Sequence, residues 1–291
     1  MSIPSAVIPS LNLIGAGRLG RTLARLWVDQ HLVQMGAVVA RQTEHAEAAA
    51  RFIGAGQPMT NLPATLANIT LIATPDDAIE SIALALAPHA RSGQIYVHCS
   101  GALSSAALVP LRAAGAAVAS VHPLKSFASP EHAITDFTGT YCSTEGDADA
   151  LARLSPIFTD IGARLFTIDP QAKTLYHAAA VLACNDLVAL MEGALRAMGA
   201  AGVDRATAWE ALRPLITSTL TNLDLMGTRA ALTGPVARGD VATVARQTAA
   251  LSQYDGSVAA IYRVLGELAL QLSPLDEAQR EAMQGALRGP V

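Results

Sequence analysis

Leu11-Asn12-Leu13-Ile14-Gly15-Ala16-Gly17-Arg18-Leu19-Gly20 is the stretch on which the reading of the chain turns. An apolar run ends in glycines spaced G-x-G-x-x-G and passes straight into a helical pattern over residues 19–30. Each glycine there has a physical task. Gly15 makes the tight turn, Gly17 lets backbone approach a pyrophosphate, and Gly20 lets the helix pack close on the strand. The helix start then presents free N–H groups and the positive end of its dipole to a phosphate. Gly15, Ala16, Gly17, Arg18, Leu19 and Gly20 are therefore the candidate cofactor loop, and the strand–loop–helix placement strengthens a motif that is weak alone.

Working outward from that loop, short apolar runs alternate with helical patterns. Strands are expected at 11–14, 35–40, 69–73, 94–98, 117–121, 139–143 and 164–168, with helices at 19–30, 44–52, 77–86 and 148–161. That order predicts a parallel sheet with crossover helices. At Asp77-Ala78-Ile79-Glu80 the sequence predicts an acidic helix cap backed by Glu80. Beyond Asp169-Pro170 the strand signal stops and the pattern is helical to residue 272, broken at 199–202, Gly227 and Gly234-Pro235. The boundary is set at Pro170, giving a first domain over 1–170 and an all-helical domain over 171–291. The stretch 178–190 is apolar nearly all round, the pattern of a helix buried on every side. The fold class is α/β, a doubly wound, mostly parallel sheet followed by an all-helical C-terminal domain.

Composition narrows the function classes. Half the residues are apolar and 15% are charged, which excludes a disordered chain, and the net charge of -4 offers no basic footprint for nucleic acid. No uninterrupted apolar run is long enough to span a bilayer, so no membrane partner is expected. Residues 1–11 contain Pro4 and Pro9, and the first cationic side chain is Arg18, so no secretory signal is expected. The three cysteines are scattered without metal-ligand spacing, which predicts reduced thiols, a cytoplasmic location and no metal site.

In doubly wound sheets ligands sit outside the carboxyl ends of the strands. The second strand runs into Val39-Ala40-Arg41-Gln42-Thr43, with no acid for the ribose hydroxyls. Arg41 and Thr43 instead suit a 2′-phosphate, which predicts NADP(H) in preference to NAD(H). Further ends give Thr74-Pro75-Asp76, His98-Cys99-Ser100-Gly101 and His122-Pro123-Leu124-Lys125-Ser126. Thr74 and Pro75 are candidate cofactor contacts, Asp76 reads equally as a cap or a contact, and His98 reads mainly as structural. His122 is a candidate catalytic residue and Ser100 a candidate substrate contact. In the helical half Lys173 and His177 stand four apart on one helix face and are candidate proton donors. Asn185 and Arg238 are candidate substrate contacts, whereas Asp240 is explained as a helix cap.

The glycine loop, Val97-His-Cys-Ser-Gly-Ala102, His122-Pro-Leu-Lys-Ser-Phe127, Tyr176-His-Ala-Ala-Ala180 and Leu232-Thr-Gly-Pro-Val-Ala-Arg-Gly-Asp240, in that order, resemble the Rossmann-like proteins with a C-terminal domain of unknown function 2520. Those are similar in layout to pyrroline-5-carboxylate reductase, 6-phosphogluconate and β-hydroxyacid dehydrogenases, ketopantoate reductase and deazaflavin-dependent NADP reductases. The resemblance implies a nicotinamide dinucleotide in the first domain and a helical second domain of a kind that often dimerises. In the hydroxyacid dehydrogenases a Lys and an Asn four residues later serve catalysis and substrate binding; here Lys173 is present and His177 stands where that Asn falls.

The resulting expectation is an NADP(H)-dependent oxidoreductase acting on a small carbonyl or imine compound bound between the domains, assembled as a homodimer through its helical domain. Two alternatives belong to other classes. One is a non-catalytic NADP(H)-binding sensor or partner module, and the other an NADP reductase of a second redox cofactor such as a deazaflavin.

Overall fold

The structure, a computed structural model, describes residues 8–63 and 67–289, so the beginning of the N-terminal stretch read for a secretory signal lies outside the described residues. It forms an eight-stranded sheet ordered β3-β2-β1-β4-β5-β6-β7-β8. The strands are β1 Ser10–Ile14, β2 Gln34–Val39, β3 Gln57–Met59, β4 Ile69–Ile72, β5 Ile95–His98, β6 Ala117–Pro123, β7 Tyr141–Gly146 and β8 Arg164–Thr167. All neighbours are parallel except β6 and β7, which pair antiparallel with His122 opposite Ser143 and Ser120 opposite Glu145. The chain thus has the doubly wound, mostly parallel sheet expected from its alternating pattern. The strand not expected is β3. It is three residues long, contains Pro58 and sits at the sheet edge, where a missing N–H costs least.

Each central strand is apolar on both faces because both faces are covered. Leu13, Val38, Leu71 and Val97 enter one core with Leu23 and Trp27 of α1 (Arg18–Asp29), Ile53 of α2 (Thr43–Ile53) and Phe158. Their neighbours Ile14, Val39, Ile72 and Tyr96 enter a second core with Ile79 and Leu86 of α3 (Asp76–Leu86) and Leu111 of α4 (Val109–Ala113). A short α5 (Pro130–Thr135) follows β6, and α6 (Ala148–Asp160), which carries Phe158, joins β7 to β8. At α3 the cap expectation is corrected: the N-cap position is Pro75, without a side-chain cap, and Asp76 and Asp77 both lie in the first turn. Acids favour a helix's first turn through its dipole as much as the cap position, so composition alone could not separate the two.

By compactness the chain divides into Met1–Leu182 and Ala183–Val291, a division that falls inside the long helix α7 (Lys173–Ala200). The second unit continues with α8 (Arg205–Ala231, interrupted at Gly227), α9 (Pro235–Arg238), α10 (Val241–Tyr254), α11 (Gly256–Leu272) and α12 (Glu277–Arg288). Its core gathers Val236, Val244, Leu270, Met283 and Leu287. Asp240 caps α10 as expected, accepting a hydrogen bond from Thr243 N.

One reading of α7 is corrected. The helix is not buried on every side: Leu182 is 67% and Val188 70% exposed. Its segment Pro170–Ala200 is also, by length and composition only, apolar enough to cross a membrane, with a mean hydropathy of 1.5 over its most apolar window. An apolar helix demands cover, but sequence does not say whether its own chain, another chain or lipid supplies it.

Candidate functional site

The loop after β1 has the geometry its glycines suggest. Gly15 has φ +93°, and a Cβ there would lie 2.6–2.7 Å from the backbone of Ala73 and Thr74. Gly17 is the extended N-cap of α1, exposed and without any side-chain cap, and a Cβ on it would meet nothing closer than Ala73 O at 4.0 Å. The first N–H groups of α1 are thus left to a ligand, the arrangement that binds phosphate at a helix start. Ala16 and Leu19 pack partly against the core, Gly20 is buried and Arg18 is exposed. Beside the loop, Thr74 Oγ1 is buried without a hydrogen-bond partner, and Pro75 is exposed. Across β2, Arg41 and Thr43 are exposed at the start of α2, whose N-cap Gln42 makes no side-chain cap. This crowded turn, the uncapped helix start and the unpartnered Thr74 hydroxyl fit a dinucleotide.

A second group of residues gathers where α7 begins. Lys173 is 1% exposed, and its Nζ donates to Ser100 O (2.8 Å) and Ser120 Oγ (2.5 Å). Glu145 Oε1 stands 3.9 Å from the same amine. Both Glu145 oxygens accept hydrogen bonds at 2.7 Å, one from Ser105 N and one from Ser105 Oγ. Burial pushes the Lys173 pKa down, and Glu145 works in the opposite direction. Lys173 is therefore a buried amine facing a buried carboxylate.

Ser100 closes the loop after β5. Its hydroxyl donates to Asp76 Oδ2 (2.8 Å) and accepts from Leu103 N (2.9 Å) and Ala102 N (3.2 Å). Asp76 is therefore a loop anchor rather than a cap. His98 is fully buried between Ser100 N, which donates to its Nδ1, and Ser104 O, so it is structural.

His122, at the end of β6, shares a 2.9 Å hydrogen bond between its Nδ1 and Tyr176 Oη and lies edge-on to His177 with centroids 5.5 Å apart. His177 Nδ1 is buried without a partner. Both rings crowd Gly101 so closely that a Cβ on it would collide with them. The structure thus brings Ser100, His122, Lys173 and His177 together within the first unit. Asn185, exposed on α7, and Arg238, exposed at the end of α9, belong to the second. Sequence reasoning missed Ser120, Glu145 and Tyr176 as members of this cluster. The expected strand over 139–143 stopped short of Glu145, and a polar side chain alternating into a buried strand face was the available signal.

His98 and His122 are both held down to a pKa of about 4, by burial first and then by the Lys173 charge. An unfolded chain takes up these protons near pH 6.5, the folded chain only near 4. Their contribution to stability is therefore complete above about pH 6.5 and is lost as pH falls towards 4. We expect the free energy of unfolding to drop across that window, by roughly 3 kcal/mol for each ring. A flat profile from pH 7 to 4 would contradict a neutral buried His98 and a neutral half-buried His122.

A doubly wound sheet whose first βα turn is a glycine loop, with polar residues at the carboxyl ends of its central strands, defines the Rossmann-like class. The Rossmann-like domain family matches residues 5–123, and the domain of unknown function DUF2520 matches residues 140–269. The chain is a Rossmann-like protein carrying a C-terminal DUF2520 domain. No curated protein matches it in sequence. Among solved structures it is similar to protein TM1727 from Thermotoga maritima, at 27% identity and a TM-score of 0.67, covering 90% of this chain and 98% of that one. It is also similar to BF3122 from Bacteroides fragilis, provisionally named an NADP oxidoreductase, at 20% identity and a TM-score of 0.75, with the same coverage. An imine reductase from Pseudomonas sp. follows at 20% identity and a TM-score of 0.57, covering 96% of this chain and 92% of that one.

Proposed function

We propose that the protein is an NADP(H)-dependent oxidoreductase that reduces a small carbonyl or imine compound. The observation that carries this reading is the uncapped helix start behind Gly15, in the same unit as the Lys173–His122–Tyr176–His177 cluster. The NADP oxidoreductase and imine reductase names among its structural neighbours support the same class.

Gly15, Gly17 and the first turn of α1 would hold the pyrophosphate, Thr74 and Pro75 would line the loop, and Arg41 and Thr43 would take the 2′-phosphate. Bound there, the cofactor supplies the hydride. The chain's own residues supply the proton and the orientation. His177, with one ring nitrogen buried and unpartnered, is the proposed donor to the substrate oxygen or nitrogen. His122 is fixed by Tyr176, and Lys173 acts on His122 through its charge while holding the Ser100 carbonyl.

Titration of NADPH and NADH by cofactor fluorescence tests the binding half. NADPH is expected to bind more tightly, and Arg41→Ala to cost roughly 1.5–3 kcal/mol of that affinity. Equal affinities for the two cofactors would remove the preference. Loss of NADPH absorbance with a panel of oxo and imino acids tests the chemistry. Binding without any turnover would leave a binding-only module.

The exposed apolar residues of α7 and α8, among them Val188, Leu215 and Leu225, are assigned to a second copy of this chain rather than to a bilayer. Light scattering without detergent should give the mass of a dimer. A monomer at micromolar concentration would end that assignment.

A further inference from the structure

Outside the polar cluster, an aromatic surface runs across the end of the same sheet. Strand register places Ser143 between His122 and Phe166 and places Tyr141 beside Arg164. The rings follow one another without a gap. His122 to Tyr176 is 5.6 Å between centroids, Tyr176 to Phe166 is 6.1 Å, and Phe166 to Tyr141 is 6.4 Å. Tyr176 is half-buried over the reactive end, whereas Phe166 is 36% and Tyr141 50% exposed at the other. Arg164 closes the row, its guanidinium carbon 5.6 Å from the Tyr141 ring and one nitrogen donating to Tyr141 Oη at 3.3 Å. Among the described residues no carboxylate pairs with Arg164, although Lys125 nearby in sequence to His122 is matched by Asp136.

Exposed rings that do not fill a core, contiguous with a buried reactive cluster and ending in an unmatched guanidinium, make a surface for a flat apolar body with a negative end. Ring faces favour stacked or edge-on partners, and arginine prefers carboxylates. We propose that Phe166, Tyr141 and Tyr176 form the subsite for an aromatic ring on the substrate, and that Arg164 receives a carboxylate carried on it. This rests on the oxidoreductase reading for the word substrate, but the subsite itself is a binding claim and is tested as one. The substrate class becomes an aryl-bearing oxo or imino acid, with its reacting carbon held at the His122 end and its acid at the Arg164 end.

The probes are phenylacetate, with ring and charge, propionate, with charge alone, and benzyl alcohol, with the ring alone. Binding to the full chain is followed by ligand-observed NMR titration, with NADPH affinity measured separately by fluorescence. Phenylacetate is expected to bind at least tenfold more tightly than either control. Phe166→Ala and Arg164→Gln should each weaken it about fivefold or more while NADPH affinity stays unchanged. Phe166→Leu, which keeps apolar bulk without the ring, guards against a folding defect and should lose most of the preference for phenylacetate over propionate. Equal binding of all three probes, or phenylacetate affinity unmoved in both Phe166→Ala and Arg164→Gln, overturns the subsite. So does a conversion of dimer to monomer in Phe166→Ala without phenylacetate binding in the parent chain, which would make the patch an interface. Should NADPH fail to bind while phenylacetate follows the expected pattern, the oxidoreductase reading falls and the aromatic subsite stands.

Discussion

Lys173→Met is expected to lower the stability of the protein by about 3–5 kcal/mol, because it leaves the buried Glu145 carboxylate without its counter-charge. Ser105 would still donate two hydrogen bonds to that carboxylate, but hydrogen bonds alone do not neutralise a charge removed from water. The same substitution strips the Ser100 carbonyl and the Ser120 hydroxyl of their donor, so the loop that faces the histidines loses its anchor. Chemical denaturation checks the first effect, and a midpoint shift worth under about 1 kcal/mol would contradict the pair. Adding Glu145→Gln to Lys173→Met should recover part of the loss, since a carboxamide needs no counter-charge. His177→Asn separates chemistry from architecture. It should keep the parent's stability and, in a turnover assay, lose about 100-fold in kcat. Were Lys173→Met as stable as the parent yet inactive, Lys173 would be the donor instead.

Gly15→Val should abolish NADPH binding and destabilise the first unit by at least about 2 kcal/mol. The strain has two sources: a φ of +93° that a branched residue does not adopt, and a Cβ driven into the backbone of Ala73 and Thr74. Backbone cannot swing aside as a flexible side chain can. Gly17→Ala is the informative companion. Its Cβ meets nothing closer than Ala73 O at 4.0 Å, so folding should change by less than about 1 kcal/mol, while a methyl group now stands where the pyrophosphate must approach. NADPH fluorescence titrations and thermal melts on both variants read the two effects apart. Native NADPH affinity in Gly17→Ala would remove the cofactor from this loop.

How much of this was legible beforehand can be judged residue by residue. The glycine loop was legible because each glycine answers a local demand, a turn or a close approach, that is met within a few residues of chain. The strands of the two cores were legible because an uninterrupted apolar run over four to six residues is what a doubly covered strand needs. Lys173, His177 and His122 could be named as polar residues in expensive places, and the structure does set them side by side. Their relations could not be named. That Lys173 points inward to Glu145 depends on an antiparallel β7 bringing residue 145 opposite residue 120, and no local pattern encodes a pairing across that separation. The same holds for the 2.9 Å bond from Tyr176 to His122.

The sequence by itself determined the order of the core strands and their longer helices, the place of the phosphate loop and the stock of titratable groups, because propensity, periodicity and glycine geometry act over a turn or a strand. Only the tertiary structure decided which of those groups are buried, which are paired and which aromatic faces stay open. Those are properties of residues far apart in the chain, set by sheet order and register. Asp76 shows the difference: its sequence suits a helix cap, but the hydrogen bond from Ser100, brought to it from the next strand, makes it a loop anchor.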